Sequence, residues 1–336
     1  MARKRLIVPI FIAHEGCPYR CVFCSQNDIT GARRRADADQ VRTALETYLN
    51  PSARALPAER EAAFYGGSFT GLPVERQEFL LSLVQPWIDR DQVQGIRVST
   101  HCLFIDADRL TLLKRYRVRT VELGLQSTDP EVLERSGRPC SMKTVRDAVG
   151  LIRENEFNLG LQLMPGLPGD CERTFQQSVA DTIALRPNFV RLYPALVLRH
   201  TRLYDMYMKK EYSPWSLERT LDALTSAVKE FQNAGIPVIR IGLHPDPSML
   251  ENLVAGPYHP ALRYLVDCRI GLGEMTEKIK EREIQTKSIW FKVPINSIPI
   301  YTGNKRENIG RLKAFFHLDE IKLEGVPGLK ELELVA

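Results

Sequence analysis

Short apolar runs rich in β-branched residues recur along most of this 336-residue chain, separated by segments of helical periodicity, and few folds tolerate that alternation. The runs cover 6–13, 62–65, 96–100, 120–125, 159–163 and 189–193, and the helical patterns between and after them cover 41–49, 75–87, 108–116, 142–155, 175–185 and 217–232. Strand, crossover helix and strand in one sheet means parallel pairing, so six repeats predict an α/β chain built on a partial (β/α)6 barrel. A seventh run, 238–243, is placed to close one edge. Composition adds exclusions: 44% hydrophobic and 26% charged residues, with 21 Gly, 21 Pro and 7 Cys, rule out collagen-like, disordered and disulfide-scaffold chains. The longest apolar run breaks at Pro9 and ends in His14, Glu15 and Gly16, too short to cross a bilayer and without a small-residue cleavage site. The expectation is a cytoplasmic protein with no membrane partner, whose thiols stay reduced.

The texture changes near residue 271. A helical stretch at 274–283, an alternating strand at 288–295, a helix at 306–316 and strands near 320–323 and 329–334 read as a separate small α/β module. The expected domains are therefore 1–270 and 271–336. Net charge is only +5, too weak to name a partner. Its distribution says more, because Arg3, Lys4, Arg5, Arg20, Arg33, Arg34 and Arg35 face only Glu15 and Asp28 within the first 35 residues. A solvated arm explains that equally well.

Chemistry concentrates in the loop after the first strand, His14-Glu15-Gly16-Cys17-Pro18-Tyr19-Arg20-Cys21-Val22-Phe23-Cys24-Ser25. Loops at the carboxyl ends of barrel strands are where such folds place their sites. Three thiolates, Cys17, Cys21 and Cys24, are one short of the four ligands that close an iron–sulfur or structural zinc site, which leaves a coordination position open. Buried thiols or part of a zinc site are the alternative readings. The Cys-x3-Cys-x2-Cys spacing, with Phe23 before the third cysteine, resembles the signature of the radical S-adenosylmethionine superfamily. That resemblance implies a [4Fe-4S] cluster on the three thiolates, S-adenosylmethionine on its unique iron, a one-electron donor such as flavodoxin or ferredoxin, and hydrogen abstraction from a substrate by a 5′-deoxyadenosyl radical.

Four later segments fall at strand ends and look like contact zones of the same superfamily. Gly66, Gly67 and Ser68 follow the second strand, where paired glycines admit close backbone approach to a ligand. Ser99 closes the third. Glu122 and Gln126 alternate with apolar positions on the fourth, so both face the barrel interior, within reach of ribose hydroxyls. Gln162 precedes Met164-Pro165-Gly166-Leu167-Pro168-Gly169, which would bracket the adenine. Turn punctuation alone also accounts for these Gly and Pro residues. Taken in order, the segments resemble the radical domain of the Elongator catalytic subunit and its bacterial relatives, from about residue 6 to 264. Arg191, Tyr193, Arg199 and Arg240 match strand-end positions of that family and are the substrate-side candidates. The resemblance implies work on transfer RNA. Only 66 residues follow residue 270, fewer than an acetyltransferase domain needs, so the transferred group does not carry over.

The segment from Ile300 to Lys313 resembles the core of a KH domain, in which a Gly-x-x-Gly loop clamps nucleotide backbone. Gly303 matches the first glycine and Arg306 replaces the second. Eleven basic against ten acidic residues from 271 onward make the module nearly neutral, yet Lys305, Arg306, Arg311 and Lys313 cluster on the loop and next helix. A packing domain with a solvated basic helix is the other reading. Cys102, Cys140, Cys171 and Cys268 show no ligand spacing and read as small buried hydrophobes. The leading expectation is a radical enzyme that modifies a base in RNA, transfer RNA first. Its rivals are a radical enzyme acting on a small metabolite or peptide, and a non-catalytic iron–sulfur sensor that binds RNA.

Overall fold

Each of the seven apolar runs becomes a strand, and all seven join one parallel sheet. In the computed structural model, which describes residues 5–12, 14–25, 36–50, 56–243, 246–282 and 286–335, the strands are β1 (Arg5–Phe11), β2 (Glu59–Tyr65), β3 (Gly95–Thr100), β4 (Val118–Gln126), β5 (Asn158–Leu163), β6 (Phe189–Leu192) and, after the two-residue β7 (Val197–Leu198), β8 (Val238–Ile241). Their order is β1-β2-β3-β4-β5-β6-β8, so neighbours in sequence are neighbours in space, as in a partial barrel. β7 pairs instead with β9 (Leu253–Ala255) as a short antiparallel ladder that the alternation did not signal. Arg3, Lys4, Arg33, Arg34 and Arg35 of the basic amino-terminal cluster lie outside the described residues.

Helices fill the crossovers where periodicity placed them, and local side chains start several of them. Asp106 accepts the backbone N–H of Arg109 and Ser141 that of Thr144, capping Ala107–Arg115 and Met142–Glu154. The single helix expected over 75–87 is two, Val74–Ser82 and Gln85–Asp89, because Pro86 starts a new first turn more readily than it continues an old one. Ile96, Val98, Val121, Leu123, Leu159 and Leu161 are almost wholly buried, as a parallel sheet covered on both faces requires.

The chain divides into two compact units, 1–216 with 231–258, and 217–230 with 259–336. In the second, β10 (Ser288–Pro294) runs parallel to β11 (Glu320–Val326) and antiparallel to β12 (Glu333–Leu334). Its alternating burial faces Ile289, Phe291 and Val293 onto Met275, Ile309 and Leu312. The helix Leu262–Glu281 runs unbroken through residues 270 and 271, and Arg269 on it pairs with Glu218 and Asp222. The stretch expected at 274–283 is the second half of this helix.

Charge, not only apolar packing, fills the inside of the large sheet. Arg97 on β3 is 1% exposed and donates Nη2 to Glu61 Oε2 at 2.6 Å and Nη1 to Glu122 Oε1 at 2.8 Å. Removing one member of a buried pair leaves its partner charged in a poor solvent. Arg97→Met should lower unfolding stability by about 3–5 kcal/mol, whereas Arg117→Ala, which opens the exposed Arg117–Asp89 pair, should change it by less than ~1 kcal/mol. Urea midpoints of the two variants check this.

Candidate functional site

The cysteine loop is seated by carbonyl oxygens that occupy the space a side chain would need. A Cβ on Gly67 would collide with the carbonyls of Glu15 and of Ile12, the latter at 2.7 Å, and a Cβ on Gly71 would collide with the Gly16 carbonyl. In return, Ser68 N donates to Glu15 O at 3.0 Å and His14 N to Gly66 O at 2.9 Å. The paired glycines therefore receive the cysteine loop itself. Their reading as a place for a ligand to approach is incomplete, because Gly67 faces protein backbone. Ser68 is 5% exposed and caps the short 3-10 turn Phe69–Gly71 with its backbone. Glu15 accepts from Arg76 Nη2 at 3.0 Å, which ties the loop to the helix Val74–Ser82.

Cys21 is buried, while Cys17 and Cys24 are partly exposed, and none of the three is in a disulfide. Cys24 N bonds Cys21 O, and Val22 N bonds Ser136 O. Arg138 Nη1 lies 3.8 Å from Cys21 Sγ, and its Nη2 donates to the Gly124 carbonyl. Burial pushes the Cys21 thiol above its ordinary value, against the lowering pull of that guanidinium. Among the described residues no three His, Cys, Asp or Glu side chains stand in an arrangement that could hold one metal ion. A cluster is less demanding, since it spreads its thiolates over different irons. Phe23 and Met164 both pack against the buried cluster of Val132, Leu167 and Ala195, so the residue before the third cysteine shares a small apolar core with the loop after β5.

Inside the sheet, Glu122 is held by three side chains from nearby strands. Its Oε1 takes Arg97 Nη1, Tyr65 OH at 3.0 Å and Arg191 Nη2 at 3.2 Å, and its Oε2 lies 2.9 Å from Arg191 Nε. A carboxylate this well supplied holds cations in place. Arg191 also donates Nη1 to Tyr193 OH at 3.1 Å, and Glu122 with Tyr65 and Tyr193 holds its guanidinium firmly charged. Arg240 is its register partner on β8 and donates Nε to Gly242 O. Arg199 stands apart, exposed after β7.

Gln126 and Gln162 do meet: Gln162 Nε2 donates to Gln126 Oε1 at 3.0 Å. Gln126 has φ +72°, a left-handed backbone for a non-glycine residue at a strand end, with the β4–β5 register shifting between Gly124 and Gln126. Ser99 lies opposite Glu122 in the register, half-buried. Sequence reasoning missed Glu61, Arg97 and Arg138. The first two carried a weak signal, charged residues alternating with apolar ones next to or within a strand, while Arg138 follows a helix end and had none. His101, after β3, is 2% exposed, and burial next to Arg138 pushes its pKa down to about 3. Cys102 and Cys140 are joined in a disulfide, which corrects their reading as separate buried hydrophobes.

In the second unit the helices Ile298–Thr302 and Glu307–Phe316 are joined by Gly303–Arg306, a helix–loop–helix between β10 and β11. Gly303 has φ +78°, and a Cβ there would sit 2.7 Å from Asn308 N, so glycine is required. Arg306, in place of the second glycine, takes φ +63°. Lys305 and Arg306 are exposed, whereas Arg311 pairs with Glu307 and Lys313 donates to the Asp319 carbonyl.

Residues 11–182 match the sequence profile of the Radical SAM superfamily, and residues 187–271 that of the Radical_SAM C-terminal domain. The tRNA uridine(34) acetyltransferase of Methanocaldococcus jannaschii is 22% identical over 260 residues, covering 66% of this chain and 48% of that protein. Elongator complex protein 3 of Homo sapiens is 25% identical over 252 residues, covering 68% of this chain and 45% of that one. The chain thus spans about half the length of the curated relatives it matches. Among solved structures, archaeal Elp3 of Methanocaldococcus infernus aligns with a TM-score of 0.62 at 17% identity over 85% of this chain and 65% of that one, a likeness of fold. No helix among the described residues is long and apolar enough to cross a membrane.

The glycine seat makes a direct prediction. Gly71→Ala should displace the cysteine loop and lose most of the iron that the wild-type chain retains after anaerobic reconstitution. Gly150→Ala, on a helix with open space at the new Cβ, should retain iron fully. Iron per chain decides.

Proposed function

The chain belongs to the radical SAM superfamily, and from that premise we propose that Cys17, Cys21 and Cys24 hold a [4Fe-4S] cluster for a radical enzyme that modifies a base in RNA, transfer RNA first. The observation that carries the reading is the cysteine loop itself, three thiols at the carboxyl end of β1 locked onto the Gly66–Gly71 turn. When bound, the cluster and S-adenosylmethionine supply one-electron cleavage of a sulfonium and hydrogen abstraction. The residues present fit that pair. Three thiols leave one iron open, Arg138 sets a buried positive charge against Cys21, and Phe23 joins the loop to the segment after β5.

On this reading the protein's own groups orient and exclude. Gly66, Gly67 and Ser68 position the cysteine loop, and Ser99 with the Gln126–Gln162 amide pair offers neutral hydrogen-bonding groups to a nucleoside. Glu122 keeps Arg191 charged and aimed at Tyr193, so both are preorganised for a polar substrate group, with Arg240 beside them. Arg199, exposed, suits a contact with backbone phosphate farther from the chemistry. The name of the aligned Methanocaldococcus jannaschii relative, a tRNA uridine(34) acetyltransferase, supports transfer RNA as the substrate class. In the second unit, the Gly303 loop presents Lys305 and Arg306 to solvent without an ion pair among the described residues, as a phosphate contact would need, while Arg311 and Lys313 are partly engaged by Glu307 and Asp319. The basic residues serve docking, and the cluster loop serves chemistry.

Anaerobically reconstituted chain should form 5′-deoxyadenosine from S-adenosylmethionine and reductant, faster with bulk transfer RNA. Cys21→Ser should abolish formation. Lys305→Ala with Arg306→Ala should weaken RNA binding and reduce its salt slope by roughly one for each phosphate no longer neutralised. Formation indifferent to RNA would move the substrate to a small molecule or peptide, and RNA affinity that tracks the cluster without any 5′-deoxyadenosine would indicate a sensor.

A further inference from the structure

Among the described residues Phe315 is the most exposed large apolar side chain, at 67%. It stands near the end of the helix Glu307–Phe316, which begins at the Gly303 loop. Phe316, next to it, is half-buried against the core around Phe291, and the two rings meet edge to face with their centres 4.9 Å apart. Phe316 thus braces a ring that gains little from burial of its own. Beside Phe315 a groove of about 530 Å³ runs between this helix and the helix Leu262–Glu281, lined by Leu272, Thr276, Arg311, Leu312, Ala314 and Phe315 itself. Cations frame it. Lys280 Nζ lies 5.8 Å from the centre of the Phe315 ring, and Lys280 is exposed with no ion pair among the described residues. Arg311, one turn before Phe315 on the same helix face, makes only an exposed pair with Glu307.

We propose that Phe315 is a stacking platform for an unpaired base of the RNA whose backbone the Gly303 loop contacts. The inference rests on the RNA reading above and adds a base contact to a module that so far offered only phosphate contacts. A single strand is gripped by a positive track for its backbone together with aromatic faces for its bases. Lys305, Arg306 and Arg311 supply the track, and Phe315 lies about 12 Å beyond Glu307 along the helix axis. The apolar wall of Leu272 and Leu312 accepts the edge of a flat ring, and Lys280 and Arg311 suit the phosphates on either side of it. A second copy of this chain, docked face to face, would set its own Lys280 and Arg311 against the first pair, so charge favours a polyanion over self-association.

Wild type, Phe315→Ala and Phe315→Tyr, each as the full reconstituted chain, are titrated with bulk transfer RNA, with a short oligouridine and with a duplex RNA over a range of salt. Replacing so exposed a ring should leave the urea midpoint at its wild-type value. Phe315→Ala should bind transfer RNA and oligouridine roughly tenfold more weakly. Its salt slope should match wild type, because no phosphate contact is lost. Its affinity for the duplex, whose bases are already stacked on one another, should not change. Phe315→Tyr keeps the aromatic face and should bind as wild type does. Unchanged affinity of Phe315→Ala for both transfer RNA and oligouridine overturns the proposal, as does a loss that the duplex or Phe315→Tyr shares. Self-association of wild type that Phe315→Ala abolishes in light scattering, with RNA affinity intact, overturns it in favour of a second copy. Wild type that binds none of the three RNAs defeats the RNA reading itself, and this proposal with it.

Discussion

A carboxylate inside an apolar barrel cannot stay charged alone, and the way Glu122 is compensated organises the strands around it. From the central strand β4 it takes Arg97 on β3, Arg191 on β6 and the Tyr65 hydroxyl on β2. Arg97 reaches on to Glu61, which Arg5 also approaches, so carboxylates and guanidiniums offset one another across the sheet. Such a set contributes little net stability over an apolar core, and its value is specificity of position. It fixes Arg191, and through Arg191 the Tyr193 hydroxyl, without recourse to loops. Groups on strands hold their geometry better than groups on loops, which is what a site that excludes side reactions requires.

The cysteine loop is the complementary case, a necessary loop made rigid. Its carbonyls fill the space left by absent side chains at Gly67 and Gly71, and Arg76 ties Glu15 to the helix that follows. Both devices commit their interactions to placement, one with charge inside the sheet and one with backbone at its rim.

The architecture was legible because a parallel sheet covered on both faces writes itself as apolar runs, and every run became a strand in sequential order. The spacing of Cys17, Cys21 and Cys24 marked the loop after the first strand as the candidate site, alternation marked Gln126, and the segment that resembles the family marked Gln162. What stayed hidden depended on contacts between distant segments. Glu122 pointed inward as expected, yet its arginine partners lie 25 and 69 residues away, and no local pattern shows them. The split helix after Val74 hinged on Pro86, a local signal that periodicity overran. That Gly67 packs against the Glu15 carbonyl was not visible in the sequence, because the contact joins two separate loops. In the second unit the glycine loop was legible, but the engagement of Arg311 and Lys313 with Glu307 and Asp319 was not.

The central claim is that this loop holds a three-thiolate cluster with one iron open to S-adenosylmethionine. Electron paramagnetic resonance of the reduced, reconstituted chain, recorded before and after adding S-adenosylmethionine, tests it most directly. The account predicts the signal of a reduced [4Fe-4S] cluster that changes shape when S-adenosylmethionine is added, because the ligand meets the iron itself. A chain that gives no cluster signal, or a signal indifferent to S-adenosylmethionine, would contradict it.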